Sequence, residues 1–130
     1  MLTLLSTNAA KPLTAAYKTS GKMKSSLPIL NHIRIYTDNG CLMAESTDLE
    51  TASREKIAAR VDADIDICVP ARAFKDWMQV IAKNYKTVVK MWVNYGILYA
   101  EITADGCRSR TSFVCLDSKD FPKIDLFLPA

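Results

Sequence analysis

Apolar residues recur along this chain in two rhythms. Over two stretches the spacing is helical. Ala9, Ala10, Leu13, Ala16 and Tyr17 form one stripe, and Phe74, Trp77, Met78 and Ile81 form another at i, i+3, i+4 and i+7. The first predicts a helix over 8–20, capped by Asn8 or Thr7 and stopped by Gly21. Pro12 is tolerable there if it falls in the first turn, where amides have no intrahelical acceptor to lose. The second predicts a helix over 71–83 that opens at Pro70, since proline suits a first helical position. Away from each stripe lie mostly basic residues: Lys11 and Lys18 on one helix, Arg72, Lys75, Gln79 and Lys83 on the other. Asp76 is the one acid in either.

Elsewhere the rhythm is alternation, the mark of strands with one face buried. Ile33 and Ile35, then Leu42 and Ala44, point inward, while His32, Arg34 and Tyr36 point out. Ile57, Ala59 and Val61 predict one longer strand with Arg54, Lys56 and Arg60 on its outer face. Ile65, Ile67 and Val69 follow, then Val89, Met91, Val93 and Tyr95, then Leu98, Ala100 and Ile102, and a last strand over about 108–115. "DNG", "NYG" and "ADG" supply the turns. Ahead of the second strand, Leu27-Pro28-Ile29-Leu30 makes an apolar knot. Pro28 fixes φ and has no amide for a ladder, so Ile29 and Leu30 are left to anchor the chain under the sheet.

The order of elements repeats. Residues 1–61 read strand, helix and three strands, residues 64–116 read the same, and "TDNGCLMAES" and "VNYGILYAEI" fall at equivalent places. A duplicated βαβββ motif predicts an α+β domain with two helices on one face of curved antiparallel sheets, their basic edges pointing away together. The chain of 130 residues fits a single domain, 1–130, with 117–130 as a tail.

Charge sharpens this picture. The net charge is only +3, yet residues 1–37 hold Lys11, Lys18, Lys22, Lys24 and Arg34 and none of the fourteen acids. A one-sided basic segment points to an anionic partner such as nucleic acid. With 49% apolar and 24% charged residues, the composition is that of a globular protein. No apolar run nears the ~20 residues of a membrane span. "MLTLLSTNAAKPL" lacks the basic start of a signal peptide, so the expectation is a cytoplasmic chain. Cys41, Cys68, Cys107 and Cys115 are then expected as free thiols.

Chemistry finds little purchase. His32 is the single histidine and sits on the outer face of a strand. "ESTDLE" brings Glu45, Asp48 and Glu50 close in sequence, but Asp48 falls in a turn that its side chain can cap. The cysteines have no zinc-ligand spacing and the glycines no phosphate-loop spacing, so neither enzyme activity, cofactor nor metal is expected.

The stretches "AAKPLTAAYKTSG", "SSLPILNHIRI", "NGCLMAESTDLE", "CVPARAFKDWMQVI" and "CLDSKDFPKI" occur in an order that resembles the N-terminal domain of the bacterial sliding clamp, the beta subunit of the replicative DNA polymerase. The resemblance implies a DNA clamp fold and a ring of six such domains, helices inside and sheets outside, that tethers a polymerase to double-stranded DNA by topology. Lys11, Lys18, Lys22, Lys24, Arg72, Lys75 and Lys83 would then face phosphates weakly and without base readout, as sliding requires. Phe113, on the strand that matches the family's edge strand, would lie at the contact with a neighbouring subunit. The tail would correspond to the link toward a second clamp domain. Polymerase and clamp loader would be partners only with the further domains supplied. Two situations remain open: a first domain excised from a longer clamp, or a one-domain relative. The alternative function is a stand-alone module that pairs with a clamp through an edge strand and modulates replication.

Overall fold

Strand exchange joins the two halves. In the computed structural model, which describes residues 1–20, 28–49, 51–84, 87–104 and 106–122, β1 (Leu2–Leu5) runs straight into helix α1 (Ser6–Ser20). A short 3₁₀ turn, Pro28–Asn31, leads to β2 (His32–Asp38), β3 (Cys41–Thr47), β4 (Ala52–Ile57) and β5 (Arg60–Val61). The second half repeats this with β6 (Asp66–Pro70), helix α2 (Ala71–Asn84), β7 (Val88–Asn94), β8 (Ile97–Ala104), β9 (Cys107–Val114) and β10 (Leu116–Asp117). The strands form two antiparallel five-stranded sheets, β5-β1-β7-β8-β9 and β10-β6-β2-β3-β4. Each sheet is therefore a three-stranded meander from one half completed by the first and last strands of the other.

The core repeats pair by pair. Ile33, Ile35, Leu42, Ala44 and Ile57 of the first half correspond to Val89, Met91, Leu98, Ala100 and Phe113 of the second, all buried. Ala9, Leu13 and Ala16 of α1 correspond likewise to Phe74, Met78 and Ile81 of α2. α1 lies over one sheet, where the Ser46 hydroxyl donates to the Ala16 carbonyl at 2.6 Å. α2 lies over the other, with Phe74 and Trp77 edge-on to the Phe113 ring at 5.2 and 6.0 Å. One continuous core joins both helices and both sheets.

The hairpin turns are as the glycines demand. Asn39 and Gly40 have φ of 50° and 78°, Tyr95 and Gly96 50° and 75°, the left-handed pair that a two-residue type I′ turn requires. Leu30 of the Pro28 turn is buried, and Ile29 packs on a second cluster with Cys68 and Phe121. Gly21, Leu27, Glu50, Asp105 and residues 123–130 of the expected tail lie outside the described residues.

Three expectations need correction. α1 starts at Ser6, not at residue 8, because β1 passes into it without a loop, and the Ser6 amide donates to the Thr87 carbonyl at 3.0 Å. Pro12 thus sits beyond the first turn and has no N–H to offer the carbonyl of Asn8. The long strand through Ile57 and Val61 is broken at residues 58–59: β4 is the edge of one sheet, while β5 pairs with β1 in the other. Tyr95 does not join the inward set but stands exposed at its turn.

On the outer face of the second sheet, Glu45 is buried at 1% exposure. A buried carboxylate is tolerable only when paired and hydrogen-bonded. Arg54 Nε donates to Glu45 Oε1 at 2.7 Å, Arg34 Nη1 to Oε2 at 3.2 Å, and the Tyr36 hydroxyl also donates to Oε1. Arg34 holds Asp66 through two further bonds of 2.8 Å. Those bonds hold the Asp66 carboxyl below the usual aspartate range, and burial above all raises the Tyr36 hydroxyl.

Phe113→Ala removes the ring shared by Phe74 and Trp77 and should destabilise the domain by ~3–5 kcal/mol in urea unfolding; a loss under about 1 kcal/mol would contradict its core role. Because the Asp66 pKa is depressed on folding, its stabilisation is present above the unfolded value of about 4 and fades as pH falls through the lower folded value. The stability gap between wild type and Asp66→Asn should accordingly be wide near neutrality and narrow in acid. A gap that is constant with pH would show that the Arg34 pair is not formed.

Candidate nucleic-acid interface

The two helices lie side by side on the core. Gln79 Nε2 donates to the Thr14 hydroxyl at 2.8 Å, and Lys75 Nζ sits 4.5 Å over the Tyr17 ring. These contacts pair a later residue of α1 with an earlier one of α2, so the helices are antiparallel. Lys11 and Lys83 then fall at one end of the pair, and Lys18 and Arg72 at the other. Thr14 and Gln79 hold equivalent positions in the two halves, so the axis relating the halves passes between them.

Why the basic residues face outward follows from the stripes. Leu13, Ala16, Met78 and Ile81 must be buried to cover the sheets, which leaves Lys11, Lys18, Arg72 and Lys83 exposed to solvent. The Arg72 side chain is 81% exposed and reaches Asp76 at 3.6 Å across one turn. Lys75 differs. Its side chain is only 15% exposed, held between the Tyr17 ring and Asp76 Oδ1 at 2.5 Å. Lys75 and, more weakly, Arg72 draw the Asp76 carboxyl below its ordinary range, so it stays charged. The helix layer thus presents five basic side chains against one acid. Lys22 and Lys24 lie outside the described residues. Phe113 is inside the fold under α2, and the exposed apolar residue beside it on that strand is Val114, at 74%.

Sequence periodicity alone could not find the contacts that organise this layer. In the sequence Tyr17 reads as part of the apolar stripe of one helix, and Thr14 and Gln79 as polar positions away from the stripes of two separate helices. Only the repeat hinted at them, through the equivalence of Thr14 and Gln79.

The other candidate chemistry does not assemble. Asp48 Oδ1 accepts from the Thr51 amide at 2.7 Å, capping its turn, and Glu45 is engaged by two arginines. His32 Nδ1 donates to the Pro28 carbonyl at 2.7 Å. Among the described residues no three His, Cys, Asp or Glu side chains are grouped to hold a metal, and no helix is long and apolar enough to cross a membrane. The four cysteines are free thiols, and burial pushes the Cys68 thiol up to about 12.

No curated protein matches the chain. Solved structures do match its fold. A DNA polymerase III subunit beta from Pseudomonas aeruginosa is 23% identical over 95% of this chain, with a TM-score of 0.78. A DNA polymerase sliding clamp from Caulobacter crescentus is 21% identical over 94%, with a TM-score of 0.83. A DNA polymerase III beta subunit from Thermotoga maritima is 20% identical over 100%, with a TM-score of 0.78. This chain covers 32%, 32% and 33% of those chains, about a third of their length. A family profile described as "DNA polymerase III beta subunit, N-terminal domain" matches residues 3–125, and the chain belongs to that family.

Proposed function

We propose that this domain is part of a DNA sliding clamp, and that the α1–α2 layer faces the duplex as one segment of a ring's inner wall. The observation that carries this reading is the helix layer itself: five cations and one acid, set on rigid helices and backed by a core that keeps them facing away from the sheets. Such a layer neutralises phosphates without reading bases, which suits a protein that holds DNA and still slides. Most of these cations are lysines, point charges without the fork geometry of a bidentate base contact.

The role needs no reacting group. A domain of this kind supplies wall, charge and sheet edges, and the ring supplies the tether. Neighbouring clamp domains join along the open edge of β9, the strand that Phe113 anchors against α2. The place of action is the cytoplasm, where replicating bacterial DNA lies. Contacts with polymerase and clamp loader depend on the further domains of a full clamp.

Replacing Lys11, Lys18, Arg72 and Lys83 together with Ala should leave stability within about 0.5 kcal/mol per site. Duplex binding at low salt should fall sharply, and the slope of log K against log salt should flatten by roughly 0.9 for each phosphate that is no longer neutralised. Lys56→Ala with Lys119→Ala serves as the control away from the helices. If the control loses duplex binding and the helix variant keeps it, the inner-wall assignment is wrong.

Asp76→Asn removes the one opposing acid and releases Arg72 and Lys75 toward the phosphates. Anisotropy titration with unrelated duplexes should show tighter binding for all of them. Unchanged or weaker binding would mean that this end of the layer does not meet DNA.

A further inference from the structure

The duplication provides an internal comparison on the outer faces of the two sheets. In β2, β3 and β4 one cross-strand row reads Arg34, Glu45 and Arg54. The equivalent row of β7, β8 and β9 reads Lys90, Glu101 and Arg110. The first row is closed. Glu45 is buried, Arg34 is also bound to Asp66, and the neighbouring Cys68 is covered by Phe121 and Ile29.

The second row is open. Register extends it across the whole sheet as Arg60, Thr3, Lys90, Glu101 and Arg110. Lys90 is exposed, and Arg108 and Arg110 are 72% and 58% exposed. Glu101 pairs with both arginines at 3.1 Å and so balances one charge of three. One row along, about 7 Å away, the cross-strand pair Trp92 and Tyr99 stands with its rings stacked, 5.6 Å between centroids and 16° between planes. The Arg110 guanidinium lies 5.1 Å from the Trp92 ring centre. On the other side of the charged row, Thr87, Lys90, Glu101, Thr103 and Arg108 line a groove of about 440 Å³.

We propose that this outer face, Trp92 and Tyr99 beside Lys90, Arg108 and Arg110, is a docking surface for single-stranded nucleic acid. Stacked rings on a sheet, flanked by a net positive row, offer what an unpaired strand presents: π faces at one level and phosphates at the next. A duplex hides its base faces and gains nothing from the rings. An acidic peptide complements the cations but leaves the stacked pair unused. This face lies on the opposite side of the sheet from α2, so duplex binding by the helices and strand binding by the sheet are separable.

The test uses the chain with a labelled oligothymidine, a labelled duplex and a labelled glutamate-rich peptide, each followed by anisotropy and by tryptophan emission. The oligothymidine should bind and quench emission, and Trp92→Phe should lose most of the quench. Lys90→Ala with Arg108→Ala, both at exposed positions, should weaken it roughly fivefold or more. The variant lacking Lys11, Lys18, Arg72 and Lys83 should keep the oligothymidine quench of Trp92, and its loss there would place the strand on the helices and overturn the proposal. The proposal is overturned if oligothymidine fails to bind, or if the Lys90/Arg108 variant binds it unchanged. It is equally overturned if the glutamate-rich peptide binds as tightly with the same dependence on Lys90 and Arg108, because charge alone then explains the surface.

Discussion

Everything in this domain depends on an exchange: β1 completes the sheet that β7, β8 and β9 begin, and β6 completes the sheet of β2, β3 and β4. A three-stranded meander with one helix leaves part of its apolar face and one inner strand edge unsatisfied. Each half satisfies the other, so the core that holds Leu2, Leu13 and Ile33 also holds Phe74, Met91 and Phe113. The exchange also explains the missing loops. β1 runs into α1 and β6 into α2 without a loop, and each helix leaves a strand of one sheet to lie over the meander of the other. Position, and with it the direction of every basic side chain on the helices, follows from pairing rather than from helix propensity.

The antiparallel contact of α1 and α2 sets how the charge is spread. Thr14 and Gln79 meet near the axis relating the halves, and the cations fall away from it toward both ends. Charge distributed this way gives a smooth positive strip instead of a single strong pocket. Asp76 tempers one end by engaging Lys75 and Arg72. On the proposed reading, weak and spread attraction at a rigid surface favours retention along DNA without a preferred register.

Much of this was legible in the residues, for a physical reason. Phe74, Met78 and Ile81 must meet a sheet, and Ile33, Ile35, Val89 and Met91 must meet helices; period alone records that. Alternation, however, records the face of a residue and not its partner. Ile57, Ala59 and Val61 alternate without a break, yet the chain changes sheets between Ile57 and Val61. Glu45 stood out in the sequence only as one acid of "ESTDLE", because Arg34 and Arg54 come to it only through register. Lys75 shares a helix edge with Arg72 and Gln79, but Tyr17 of the other helix decides where its ammonium lies. The helix stripes and hairpins are local properties; the strand switch, the buried acid and the pinned lysine are tertiary ones.

The two outer faces show how far equivalent positions can part while the core stays matched. Ile57 and Phe113 do the same work under their helices, and Leu42 and Leu98 are both fully buried. Outside, constraint is weaker. Where Tyr36 donates to Glu45, Trp92 stacks on Tyr99; where Arg34 finds Asp66, Lys90 finds solvent. A buried acid requires its partners, so the first face is committed to holding β2, β3 and β4 together. Glu101 is less buried and less demanding, and β7, β8 and β9 hold together by backbone ladders and core without it. The cations of that second face, Lys90, Arg108 and Arg110, are held less tightly than Arg34 and stand in solvent, where a partner can reach them.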